Sequence, residues 1–77
     1  MVKLVRKYRA ADAPLTASIF SSPRFKTLYI VHDDVGTVYY SRNDSIDQAI
    51  LSMHTFIPRG YSKTLRWELI PNAPLSL

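Results

Sequence analysis

His32, Asp33 and Asp34 are the one place in this sequence where side chains with metal-binding or acid–base capacity adjoin. A histidine beside two carboxylates can ligate a divalent ion. In an extended chain, however, neighbouring residues point to opposite faces, so at most two of the three converge. No second histidine-rich cluster completes a ligand set, and His54 stands off the apolar stripe of its own segment. A polar turn suits Asp33-Asp34-Val35-Gly36 better. None of the serines lies in a glycine-flanked elbow. With only Gly36 and Gly60, no glycine-rich loop can cradle a phosphate. Cysteine is absent, which removes thiolate nucleophiles, thiolate metal ligands and disulfides. The expectation is a protein with no catalytic residue, no metal and no cofactor.

Binding chemistry is better represented. Arg24, Lys26, Arg42, Arg59, Lys63 and Arg66 interleave with Tyr29, Tyr39, Tyr40, Tyr61 and Trp67. Arginine and tyrosine are common anchors of protein interfaces, and the same mixture can stack bases and pair with phosphates. Tyr29, Tyr40 and Trp67 also fit a core role, Trp67 most of all. A second basic group, Lys3, Arg6, Lys7 and Arg9, crowds the first nine residues with no acid among them. That segment is a candidate nucleic-acid contact. The RNA-platform motif rich in glycine and phenylalanine is missing.

Ten Lys and Arg against six Asp and Glu give a net charge of +4 over 77 residues. That sign suits nucleic acid or an acidic protein surface, and serves solubility equally. The length fits one domain over residues 1–77. No apolar run approaches the ~20 residues of a membrane span, and MVKLVRKYRA has no apolar stretch behind it to make a signal peptide. Lack of disulfides points to a reducing cytoplasm.

Residues 2–9 alternate as an edge strand, with Lys3, Val5, Lys7 and Arg9 on one side, or serve as a flexible basic arm. Residues 10–24 contain two prolines and several small residues and read as a loop, with a short helical turn at 15–20. Residues 25–32, rich in β-branched and aromatic types, predict a strand. Gly36, able to take positive φ, closes a hairpin into a return strand over 37–42. Asp44 or Ser45 caps a helix of about 13 residues, with Ser45 and Gln48 at capping-box spacing. Ile46, Ala49, Ile50, Met53 and Ile57 form its apolar stripe, and Pro58 and Gly60 stop it. In 64–70, alternation sets Leu65, Trp67 and Leu69 under the helix and leaves Arg66 exposed. Residues 72–77 read as a mobile tail. The fold class is α+β: a ββαβ antiparallel sheet of three strands, four if 2–9 joins, with one helix on one face. The other face stays open for a partner.

Residues 25–71 resemble the small host-RNA-polymerase inhibitor of short-tailed lytic phages. The match runs through Tyr39-Tyr40, Ser45-Ile46-Asp47-Gln48-Ala49, Phe56-Ile57-Pro58-Arg59-Gly60-Tyr61, Thr64-Leu65-Arg66-Trp67 and Pro71. The resemblance implies a three-stranded sheet with one helix, no catalysis, and docking on the β′ subunit of RNA polymerase in the host bacterial cytoplasm. There it would block promoter opening with help from the σ factor. Of the family's two last-strand arginines only Arg66 carries over, and the family is more acidic than this chain. The contact patch expected for such a protein partner is Arg66, Arg59, Lys63 and Arg42. Monomer and homodimer both remain open.

Overall fold

The computed structural model describes residues 3–22 and 27–71. Its elements are β1 (Lys3–Ala10), β2 (Thr16–Ser21), β3 (Thr27–His32), β4 (Thr37–Asn43), α1 (Ile46–Thr55) and β5 (Trp67–Leu69). The strands form one antiparallel sheet in the order β4-β3-β2-β1-β5. The class is α+β with one helix, as expected, but the sheet has five strands and the order is ββββαβ.

The additional strand is β2, where a loop is expected. Its residues are small or polar, apart from Ile19 and Phe20, so propensity is weak. Position overrides propensity here. β2 lies between β1 and β3, with Ala17 and Ile19 fully buried and Ser18 nearly so. β1 in turn is neither an arm nor an edge, because β5 pairs with Tyr8, Arg9 and Ala10 on its far side. A register shift between Leu4 and Arg6 interrupts its alternation. Lys3 therefore parts from Lys7 and Arg9.

The hairpin and the helix fall where expected. Asp33 Oδ1 accepts from the Val35 and Gly36 amides at 2.8 and 3.0 Å. Gly36 does not use positive φ; among the described residues only Gly60 does. Hydrogen bonds from Gly36 and Val35 hold the Asp33 carboxyl below its ordinary pKa. Ser45 caps α1, its Oγ accepting from the Gln48 amide at 3.2 Å. Gln48 Oε1 accepts from the Asp44 amide, one residue before the usual capping-box donor.

The helix is 10 residues, shorter than its apolar spacing suggests. Ile57 therefore lies beyond it, 51% exposed, while Phe56 packs against the core. Phe56 stacks on Tyr39 at 4.6 Å and meets Tyr29 edge-on at 6.5 Å. The core gathers Tyr8, Ala10, Leu15, Ala17, Ile19, Tyr29, Val31, Ala49, Met53 and Leu65. Trp67 joins it and donates Nε1–H to the Met53 carbonyl at 3.1 Å, tying β5 to the helix. Leu69, expected beneath the helix, is 52% exposed. β5 is an outer strand, whereas α1 rests on β2, β3 and β4. The predicted tail at 72–77 lies outside the described residues.

Tyr29 is fully buried, yet its hydroxyl has no hydrogen-bond partner among the described residues. Burial, reinforced by Tyr39, pushes its pKa upward. A buried unpaired hydroxyl costs about 1–3 kcal/mol. Tyr29→Phe should therefore raise stability by about 1 kcal/mol, or the melting temperature by about 4–8 °C. A fall in a thermal denaturation scan would show that the hydroxyl is bonded after all.

Candidate binding face

Strand pairing sorts the sheet's side chains into two faces. The helix face holds Ala17, Ile19, Tyr29, Val31 and Tyr39. The opposite face has no helix among the described residues. Because opposed residues share a face, the register lays three lines of side chains across it. Lys7, Ser18, Ile30 and Tyr40 form the first. Leu4, Phe20, Leu28 and Arg42 form the second. Glu68, Arg9, Thr16, His32 and Thr37 form the third.

Each line contains one Lys or Arg and one aromatic ring: Lys7 with Tyr40, Arg42 with Phe20, Arg9 with His32. Neighbouring lines lie about 7 Å apart, two residues along a strand. Tyr40 is 65% exposed, and Phe20, Leu28 and Ile30 are half-buried. Glu68 is the one acid in these lines, directly opposite Arg9.

His32 does not enter a metal cluster. Its Nε2 lies 3.3 Å from Ser18 Oγ, across the strands on this face. No group of three or more His, Asp or Glu able to hold a metal occurs among the described residues. A shallow open depression of about 350 Å³ lies at this end, lined by Ser18, Phe20, Ile30, His32, the 33–36 turn and Thr37.

The two basic groups of the sequence are both divided. Lys7 and Arg9 occupy the helix-free face, whereas Lys3 and Arg6 oppose Ser21 and Ile19 on the other. Arg59, Lys63 and Arg66 are exposed in the segment between α1 and β5. Arg66 adjoins the 11–15 loop, its amide donating to Asp12 Oδ1 and its carbonyl accepting from Ala11. Arg42 is on the far edge of the sheet, four strand spacings or about 19 Å from β5. Phe20, Leu28, Ile30 and Ser18 are the face residues that sequence reasoning missed. The signal for two of them was present in 16–21, where Ala17 and Ile19 alternate with Ser18 and Phe20.

Family models, curated proteins and solved structures give no match to this chain. No helix among the described residues is long and apolar enough to cross a membrane.

Proposed function

We propose that this chain is a small nucleic-acid-binding protein that takes single-stranded DNA or RNA across the helix-free face of its sheet. The observation that carries this reading is the presence of one ring and one cation, two or three strands apart, in each of three successive lines. Bases stack on aromatic side chains whatever their sequence, and cations follow the phosphates. An open sheet face admits an extended strand. Binding should be seen by fluorescence anisotropy with a labelled single-stranded oligonucleotide, at a Kd of about 10 µM near physiological salt. No binding at 100 µM protein in low salt would end this reading.

A second reading is favoured by one specific feature. The hairpin, capped helix and β5 follow one another over the residues that resemble the phage RNA-polymerase inhibitor, with Arg66 exposed just before β5. On this reading the protein docks on the β′ subunit of a bacterial RNA polymerase and blocks initiation. Arg59, Lys63 and Arg66 would face acidic residues there, with Arg42 apart from them on the distant edge. Arg66→Glu should then weaken polymerase binding about 30-fold or more while leaving the fold intact. Transcription inhibition that survives this change would remove the reading. β5 does not pair with the hairpin as a three-stranded sheet would have it, since β2 and β1 lie between them.

A further inference from the structure

β4 is an edge strand, and nothing among the described residues pairs with its outer side. It is seven residues long, TVYYSRN, and exposes Val38 (43%), Tyr39 (40%) and Tyr40 (65%) in succession. Natural edge strands of this kind usually carry a device against further pairing: proline, lysine, a buried charge or a bulge. β4 has no proline, lysine or acid, and its one charged side chain is Arg42. It has one irregularity, at Val38, where the register with β3 shifts between Val31 and His32. From there residues 39–43 oppose β3 in unbroken register.

We infer that residues 39–43 pair antiparallel with the same stretch of a second copy, about a two-fold axis through Ser41. The occupant follows from the side chains. In this register Tyr40 lies opposite Arg42 of the second copy, twice, on the helix-free face. Tyr39 lies opposite Asn43 on the helix face, and Ser41 faces its own mate. A guanidinium set beside a tyrosine ring is an attractive cross-strand contact. Moving the axis to Arg42 would put two guanidinium groups face to face, which is repulsive. Moving it to Tyr40 would put Arg42 against Val38, where the strand is irregular. The Ser41-centred register alone uses all of 39–43 with no like charges opposed.

Such a two-fold contact is closed and isologous, so it ends at a dimer and does not propagate. Both helices fall on the same side of the joined sheet. The two helix-free faces become one continuous surface, with Tyr40 and Arg42 brought from its edge to its middle. This inference goes beyond the nucleic-acid reading and holds without it, so it is tested with no nucleic acid present.

Light scattering on the full chain at about 100 µM should give twice the protomer mass of 8.8 kDa. Tyr40→Lys, which opposes a lysine to Arg42, should return the mass to that of one protomer. Adding Arg42→Glu to Tyr40→Lys should restore the dimer, because lysine then faces glutamate. Both positions are exposed, so the variants should fold, which circular dichroism checks. Since the chain has no cysteine, Ser41→Cys provides a second measurement. Two residues on the axis of an antiparallel pair lie about 4.5–5.5 Å apart between Cα atoms, within disulfide reach. Ser41→Cys should form a covalent dimer on mild oxidation, and Asn43→Cys should not. A single-protomer mass at every concentration overturns the inference. So does a dimer that tolerates Tyr40→Lys, or cross-linking equally efficient at positions 41 and 43.

Discussion

Ile19→Ala is expected to remove about 3–4 kcal/mol of stability, most of what a domain of this size holds. Ile19 is fully buried, opposite Tyr29 on β3 and Arg6 on β1. Removing its outer carbons leaves a cavity beneath the helix that neighbouring strands cannot collapse to fill. The size of the effect decides between two folds. If residues 16–21 were a surface loop, the same substitution would cost within about 0.5 kcal/mol. A urea titration reads the difference directly. An unfolding midpoint close to that of the parent chain would remove β2 from the middle of the sheet. The three lines of side chains on the opposite face would go with it, since each passes through β2.

Legibility in the sequence followed the strength of the local signal. Ser45 and the apolar residues Ala49, Ile50 and Met53 announced the helix, because capping and periodicity act over one or two turns. The hairpin was equally plain, from the β-branched and aromatic run before Asp33 and the return through Tyr39 and Tyr40. β2 was hidden by its composition. Alanine and serine fit where a helix and two flanking strands crowd a central strand, yet they carry little preference for extended backbone. The position of β1 was hidden for another reason. Its partner β5 lies more than fifty residues away in the chain, and periodicity says nothing about which strands meet. Leu69 was misplaced by the same ignorance: its alternation with Trp67 is real, but the helix does not extend over the sheet's outer strand. The candidate face could not be read without the register. Arg6 parts from Lys7 and Arg9 by simple alternation, but Lys3 leaves them only because of the shift at Val5.

That separation supplies the sharpest test of nucleic-acid binding. Deleting residues 1–9 would be uninformative, because it removes most of an interior strand that contributes Tyr8 to the core. Side-chain substitutions avoid this. Changing Lys7, Arg9 and Arg42 together to glutamine takes the net charge from +4 to +1. Changing Lys3, Arg6 and Arg59 to glutamine does the same on other parts of the surface. If binding depended on net charge alone, the two variants would weaken equally. If the strand lies across the helix-free face, the first should lower the slope of log affinity against log salt by about 2, at roughly 0.7 per phosphate contact on a single strand. The second should leave the slope nearly unchanged. Tyr40→Ala should act differently again, costing about 1–3 kcal/mol of binding through lost stacking while preserving the slope. Anisotropy titrations at four or five salt concentrations separate these terms. Equal loss in the two glutamine variants would reduce the attraction to bulk charge. A loss confined to Lys7, Arg9 and Arg42, with a salt-independent loss at Tyr40, requires phosphate and base to meet the same face of the sheet.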